Sequence, residues 1–348
     1  MRRTMTAFPG VRRPGTAQGS SFRLFALRAS DDLGHKIADA LGEPLASHEE
    51  RDFEDGEHKA RPLDNVRGTD VYVVQSLHGG PDDSANDKLC RLLFFIGALK
   101  DAGARRVTAL VPYLCYARKD RRTKPGDPVT TRYVASLFEA VGTDVVVTLE
   151  VHNAAVFENA FRCPTVALTS APLFVDYWQT PDRPAPDDEE VCVISPDPGG
   201  VKRADLFRDA LQAALGRPVA KGIADKHRGA DGIHGDFFAG DVAGRTAVIV
   251  DDMVSTGATL LHAARWARQA GAVRVIALVT HGLFTAGAAD AIADPAIDRI
   301  AVTDTVPPFR LGEHAPRCKI DTVHAAPLLA EVVRRLHGEE VLADLLVL

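Results

Sequence analysis

The stretch VIVDDMVSTGATL, Val248 to Leu260, carries three local signals in succession. Ala247 to Val250 is a continuous apolar run, the pattern of a strand buried on both faces. Asp251 and Asp252 follow at once, and Ser255, Thr256, Gly257, Ala258 and Thr259 then open a helix that reads as Gly257 to Ala270. A buried strand that passes through a small-residue loop into a helix is one half of a parallel crossover unit. Small residues let a ligand approach the backbone, and successive N–H groups at a helix start suit a phosphate. Two adjacent acids would repel that phosphate, so they must face hydroxyl groups or a cation. A sugar phosphate satisfies both ends of the loop. The competing reading is an ordinary helix start whose Ser and Thr cap their own backbone.

The same alternation extends in both directions. Strands are expected at Phe22 to Leu27, Val71 to Gln75, Val107 to Leu114, Asp144 to Leu149, Val191 to Ser195 and Val273 to Thr280. Between them, helices are expected at Asp31 to Leu41 (with Ser30 as N-cap), Asn86 to Asp101, Thr131 to Ala140, Val201 to Leu215 and, last, Pro327 to Leu336. Strands alternating with crossover helices predict an α/β protein of parallel sheets flanked by helices, here two similar doubly wound domains. The expected division is a mobile leader over 1–21, a first domain over 22–165 and a second over 166–348, with the last helix returning to the first domain. The PDRPAPDDEE segment, Pro181 to Glu190, reads as a surface loop.

Composition narrows the function classes. The chain has 348 residues, 46% hydrophobic and 25% charged, which excludes disorder and fibrous repeats. Its net charge of −6 argues against nucleic acid as a partner, so any basic residues that meet phosphate must be focused locally. No apolar run reaches the ~18 residues a membrane helix needs. The five cysteines, Cys90, Cys115, Cys163, Cys192 and Cys318, are widely spaced and read as reduced, mostly buried thiols of a cytoplasmic protein. Six arginines and no acid occupy the first 30 residues, but Pro9, Gly10, Pro14 and Gly15 break any amphipathic targeting helix.

In open parallel sheets ligands gather at the carboxyl ends of strands, and several other strand ends are chemically loaded. Arg118, Lys119, Arg121, Arg122 and Lys124 place five cations within seven residues around Asp120, either as a solvated basic face or as a clamp for phosphates. His152 follows the strand ending at Leu149 and would serve equally as a satisfied core residue or as a ligand. Asp197, Gly199 and Gly200 form either a tight turn or a diphosphate loop with a carboxylate for a metal, with Lys202 and Arg203 just beyond. Lys226, His227 and Arg228 lead into GADGIHG, Gly229 to Gly235, a mobile loop or a lid that closes two cations over developing charge.

These segments, taken in order, resemble the ribose-phosphate pyrophosphokinases. VDDMVSTGAT resembles the 5-phosphoribosyl-1-diphosphate (PRPP) loop of the type I phosphoribosyltransferase fold. YARKDRR resembles the family's Tyr-Ala-Arg-x-Asp-Arg motif, VTLEVHN its Thr-Met-Asp-Leu-His-Ala strand, and SPDPGGVKR its Ser-Pro-Asp-x-Gly-Gly-x-x-Arg segment. DFEDGE, Asp52 to Glu57, is similar to its Phe-Ser-Asp/Asn-Gly/Gln-Glu hairpin, although composition alone marks it only as a polar turn.

The resemblance implies transfer of the diphosphoryl group of Mg-ATP to ribose 5-phosphate, giving AMP and PRPP. It implies that Phe53, Asp55, Glu57, Arg118, Lys119, Asp120 and His152 bind ATP, and that Asp251, Asp252 and Ser255 to Thr259 bind ribose 5-phosphate. It further implies Asp197, Gly199 and Gly200 at the diphosphate, Lys226 and Arg228 as catalytic cations, and Mg²⁺ on His152, Asp197, Asp251 and Asp252. A homo-oligomer whose sites are shared between subunits is also implied.

The chain departs from the family pattern at Lys119, Glu150, Ser255 and Ala258. Glu340 and Leu342 replace the serines of the family's phosphate and ADP regulatory site, so weak phosphate activation is expected. A PRPP-consuming transferase would explain the Asp251–Thr259 loop but not the Arg118 and His152 segments. A non-catalytic paralogue would be expected to have lost the loop cations or the paired acids.

Overall fold

The computed structural model describes residues 22–180, 189–228, 234–312 and 315–347, without the side chains of 225–228 and 234–237. The expected leader, most of the Pro181–Glu190 loop and residues 229–233 of the glycine-rich stretch lie outside the described residues.

The first half alternates as expected: β1 (Phe22–Ala26), α1 (Asp31–Leu41), β2 (His48–Asp52), β3 (His58–Pro62), β4 (Asp70–Val74), α2 (Ala85–Asp101), β5 (Arg106–Leu110), α3 (Thr130–Ala140), β6 (Val145–Leu149), α4 (Ala154–Ala160) and β7 (Thr165–Leu168). The strands form a parallel sheet in the order β1-β4-β5-β6-β7. Because β7 pairs with β6, the expected boundary at 165 would cut a strand of this sheet, and the division moves past Leu168. The second half runs through α5 (Ala171–Trp178), β8 (Val191–Ser195), α6 (Val201–Leu215), β9 (Ala220–Arg228), β10 (His234–Gly240), β11 (Thr246–Val254), α7 (Ala258–Gln269), β12 (Arg274–Gly282), α8 (Ala288–Ala293), β13 (Arg299–Thr303), β14 (Ile320–Val323) and α9 (Ala326–His337). Its sheet has the order β10-β9-β8-β11-β12-β13-β14, parallel except for the antiparallel β9–β10 edge pair.

Helices cover both faces of each sheet. In the first half, Leu92, Phe95, Ile96, Val134, Phe138 and Phe157 from α2, α3 and α4 pack on one side. Leu33 and Ile37 of α1, with Leu328, Leu329, Val332 and Val333 of α9, cover the other. The last helix of the chain thus completes the core of the first half, and each fully buried aliphatic side chain contributes roughly 1.5–3 kcal/mol. In the second half α5 and α6 supply one layer, through Phe174, Trp178, Phe207 and Leu211. The opposite layer comes from α7 and α8, through Leu260, Ala263, Ala267 and Ile292.

Two local expectations are corrected. Ser30 stands at the start of α1 but makes no side-chain cap; its buried hydroxyl instead accepts from the Ser76 N–H at 2.9 Å. Helix α2 carries the capping box instead, with Ser84 and Asp87 exchanging side-chain and backbone bonds. Cys90 and Cys318 are exposed, while Cys115 and Cys192 are buried, and all five thiols are free. Among the described residues no helix is long and apolar enough to cross a membrane.

Candidate active site

The carboxyl ends of the two sheets face each other, and the loaded residues meet between them. β11 extends to Val254, past the expected end at Val250, so Asp251 and Asp252 lie within the strand. Its neighbour β8 stops pairing at Ile194 with Ile249, which leaves that side of β11 open where the two acids begin. Asp251 still pairs with Val279 of β12 on the other side, and this holds the acids on a rigid element.

Charge is concentrated at this point. His152 Nδ1, just beyond β6, lies 2.8 Å from Asp252 Oδ2. Arg203, on α6, donates from Nε to Glu150 Oε2 at 3.0 Å and sits 3.6 Å from Asp251 and 3.9 Å from Asp252. The other Glu150 oxygen accepts from the Thr169 hydroxyl at 2.9 Å and from the Ser170 N–H at 2.8 Å. Glu150 adopts φ +45°, an unfavourable angle for a residue with a Cβ, and this dense bonding holds it there. Burial and the adjacent Asp252 push the Asp251 carboxyl well above the ordinary aspartate value. Burial would raise Asp252 too, but the His152 bond and the Arg203 charge outweigh it and hold Asp252 low. The bond to Asp252 raises His152, against the opposing effect of its burial. The two carboxyls titrate as one unit in which Asp251 more readily keeps a proton.

A neutral imidazole braces the centre from behind. Burial holds His281 down at about 4. Its Nε2 lies 2.9 Å from the Leu149 carbonyl, so that nitrogen is the donor, and Nδ1 accepts from the Thr305 hydroxyl at 2.8 Å.

Below the acids, Ser255 to Thr259 lead into α7. Gly257 is the N-cap at φ +78° and has no side chain to cap the helix, Thr256 Oγ1 accepts only a long bond from the Ala258 N–H at 3.4 Å, and a Cβ at position 257 would lie 2.7 Å from that of Ala291. Ser255 Oγ lies 3.0 Å from the Thr285 hydroxyl, which anchors one edge of the loop, while Thr256, Ala258 and Thr259 are exposed. An uncapped helix start with exposed hydroxyls beside it is suited to a phosphate.

The remaining expected residues vary in how closely they join this centre. Asp197 accepts from the Gly200 N–H at 2.9 Å and caps the short turn before α6, and Gly199 and Gly200 complete that turn. Asp120 accepts from Asn153 at 2.9 Å, next to His152. Arg118 is exposed, whereas Lys119 is engaged by Asp127 at 2.9 Å. Phe53, Asp55 and Glu57 form the tip of the β2–β3 hairpin, where their contacts are local. The Arg51 guanidinium lies 5.1 Å from the Phe53 ring centre, and Asp55 accepts from the Glu57 N–H at 3.1 Å. Lys226 and Arg228 belong to β9 rather than to a loop, with Lys226 opposite Asp236 and Arg228 opposite His234; their side chains lie outside the described residues. Among the described residues no three carboxylate, imidazole or thiol groups converge as a ready-made metal cluster. The central bridging role of Arg203 is not legible from its place in a basic pair, and neither are the roles of His281 and Ser170.

Comparison with known proteins gives the family. Residues 22–142 match the model of the N-terminal domain of ribose phosphate pyrophosphokinase, and 237–347 match that of the phosphoribosyl synthetase-associated domain. Ribose-phosphate pyrophosphokinase 1 of Streptococcus pyogenes serotype M3 is 35% identical over 331 residues, spanning 94% of this chain and 98% of that protein. The enzyme of the same name from Streptococcus agalactiae serotype III is 34% identical over 329 residues, spanning 94% and 97%. The crystal structure of phosphoribosylpyrophosphate synthetase from Mycobacterium smegmatis superimposes with a TM-score of 0.79 at 32% identity, covering 91% of this chain and 99% of that one. With likeness of sequence and fold running through both halves, the chain belongs to the ribose-phosphate pyrophosphokinase family.

Proposed function

We propose that this chain transfers the β,γ-diphosphoryl group of ATP to the 1-hydroxyl of ribose 5-phosphate, giving AMP and PRPP, at the centre formed by Asp251, Asp252 and His152. The observation that carries the reading is the His152–Asp252 bond, which joins the expected nucleotide end of the first half to the sugar-phosphate loop of the second.

In this reading the 5-phosphate lies over the uncapped start of α7, held by Thr256, Gly257, Ala258, Thr259 and Ser255. Asp251 and Asp252 accept from the ribose hydroxyls and orient the sugar. Arg118, Lys119, Asp120 and His152 receive the nucleotide phosphates, and Asp197, Gly199 and Gly200 receive the diphosphate being transferred. The 1-hydroxyl oxygen bonds to the β-phosphorus as the bond from that phosphorus to the α,β-bridging oxygen breaks. The electron pair leaves with AMP and the hydroxyl proton passes to water. No protein nucleophile takes part, so orientation and charge neutralisation lower the barrier. Lys226 and Arg228 supply the positive charge over the transferring group.

The donor set fits Mg²⁺. Two adjacent buried carboxyls, one of them pushed strongly upward, would be held ionised by a nearby cation, and Asp197 keeps one oxygen free of its capping bond. Mg²⁺ characteristically takes one or two protein carboxylates and completes its shell with water and substrate phosphates, which suits a site without a three-residue cluster. Asp251, Asp252, His152 and Asp197 are the residues that would hold it, directly or through water, and it would supply neutralisation of charge on the phosphates. Phe53, Asp55 and Glu57, exposed on a projecting hairpin, fit a role in the site of a neighbouring subunit, which makes the working form a homo-oligomer. We place the reaction in the cytoplasm and read the two halves, parted between Leu168 and Ala171, as two domains of one enzyme.

Lys226→Ala tests the assignment. Turnover should fall by at least ~100-fold with little change in the KM for ribose 5-phosphate, since the cation acts on charge that develops in the transition state. Wild-type turnover in that variant would refute the role.

A further inference from the structure

A cavity of about 660 Å³ lies away from this centre, at the junction of the two halves. Its walls come from the end of β1 (Arg28), the end of β2 (Asp52), the loop after β4 (His78 to Asp83), the inner face of α2 (Lys88 and Arg91) and the loop after β13 (Pro307 and Phe309). It shares no lining residue with the Asp251–His152 centre. Arg310 ties its two sides together, donating to the Gly79 carbonyl at 2.7 Å and to the Leu283 carbonyl at 2.9 Å.

The charges lining it are unevenly matched. Asp52 accepts from Arg28 at 2.7 Å and pairs with Arg91 at 2.5 Å, and Asp83 stands 3.7 Å from Arg91. Asp82 is exposed to solvent. Lys88 differs from all of these: it is 3% exposed, and among the described residues no carboxylate lies within 4.0 Å of its ammonium. Its near neighbour is the His78 ring, at 3.4 Å. Burial and the Lys88 charge hold that imidazole down at about 4, so it offers an acceptor but no countercharge. Arg91 is buried as well, and among the described residues its Nε and one Nη have no hydrogen-bond partner. Asp83 and Asp82 act on the Lys88 charge only from beyond contact distance, and a buried ammonium with no carboxylate against it and two unsatisfied guanidinium donors are each costly unless something anionic offsets them.

From this juxtaposition we infer that the cavity bounded by Lys88, Arg91, His78 and Phe309 is an anion site for a small phosphate-bearing molecule. Its volume is within the ~300–1,000 Å³ usual for small-molecule sites. Phe309, 37% exposed, provides an apolar wall beside the anion, so either free phosphate or an organic phosphate satisfies the same chemistry. A ligand there would touch Lys88 and His78 from the first half and Phe309 from the second, and so would bridge the two.

The test is calorimetric titration of the full-length protein with inorganic phosphate and with phenyl phosphate, in saturating ribose 5-phosphate so that the loop over α7 is filled. Saturable binding is expected, weakened at least tenfold by Lys88→Gln and retained by Lys88→Arg, with ribose 5-phosphate affinity unchanged in both. Tighter binding of phenyl phosphate would assign the site to an organic phosphate, and equal binding to the free anion. Lys88→Gln removes an unpaired buried charge, so its melting temperature should not fall, and this separates lost binding from lost folding. An absence of saturable binding, or binding that survives Lys88→Gln in a folded protein, would overturn the inference. If ribose 5-phosphate itself fails to bind, the catalytic reading fails instead. The anion site is then tested without it, by the same comparison of Lys88→Gln with Lys88→Arg.

Discussion

His152 and Asp252 are 100 residues apart in the chain and 2.8 Å apart in the fold. One lies three residues beyond the end of β6 and the other sits within β11, so a single bond spans the two sheets at their carboxyl ends. Arg203 lies against the same carboxylate and against Glu150, which makes the centre a network of three acids, one guanidinium and one imidazole, with Arg203, Glu150 and Asp252 largely buried and His152 at its exposed edge.

Arg203→Met should therefore be among the most destabilising single changes. Removing one partner of a buried ionic network costs about 3–5 kcal/mol, because the remaining charges stay buried and uncompensated. Urea unfolding should show this loss, and adding Glu150→Gln should restore part of it by removing an acid that Arg203 balances. A stability unchanged by Arg203→Met would mean that the network contributes little.

The contact between α9 and the first sheet predicts a dependence on pH. Asp70 is 1% exposed, and burial alone would raise its carboxyl. Hydrogen bonds from Arg106 and His337 outweigh that effect and hold it below the ordinary aspartate value. A carboxyl whose pKa is lower in the folded state stabilises the fold above the unfolded pKa of ~3.9, and this contribution disappears as pH falls through the lower folded value. The difference in unfolding free energy between wild type and Asp70→Asn should accordingly be flat above about pH 5 and shrink below about pH 4. A difference that grows in acid would contradict the assignment.

Gly257→Ala probes the loop over α7. The glycine sits at φ +78°, and a Cβ would approach that of Ala291 to 2.7 Å, so the loop or α8 must shift. Residues held at such angles cost about 1–3 kcal/mol. The expected result is a KM for ribose 5-phosphate raised by at least ~10-fold with the KM for ATP nearly unchanged, measured in steady-state assays. Equal effects on both would show that the loop does not belong to the sugar phosphate alone.

Much of this architecture is legible in the sequence because apolar runs and helical spacing are strong signals. Val248 to Val250 and the Leu89–Leu99 stripe owe their places to burial, and the structure keeps them there. The hairpin of β2 and β3 is not legible in this way: HEERD and HKARP are polar strands outside the core, held by pairs such as Glu49 with Arg61 at 2.5 Å. Strands β7 and β14 are four residues long, too short for periodicity to mark. Within the site, Asp251 and Asp252 stand out because paired acids on a buried strand need a reason. Arg203 and His281 do not, since their roles depend on partners from the other half of the chain, brought near only by folding.

Phe53→Ala tests the hairpin. If the ring stacks against the nucleotide base, its loss should raise the KM for ATP about 5- to 13-fold, as expected for a single aromatic contact of ~1–1.5 kcal/mol, and leave the KM for ribose 5-phosphate unchanged. Mixed oligomers of Phe53→Ala with an Asp252→Asn protein should regain sites of wild-type KM if the hairpin serves a neighbouring subunit. No regain would confine it to its own chain.

The most direct measurement is to incubate the purified protein with Mg-ATP and ribose 5-phosphate and follow AMP and PRPP together, in wild type and Asp252→Asn. Diphosphoryl transfer at the His152–Asp252 centre predicts equal amounts of the two products and a loss of both in the variant. ADP in place of AMP, or undiminished PRPP from Asp252→Asn, would contradict it.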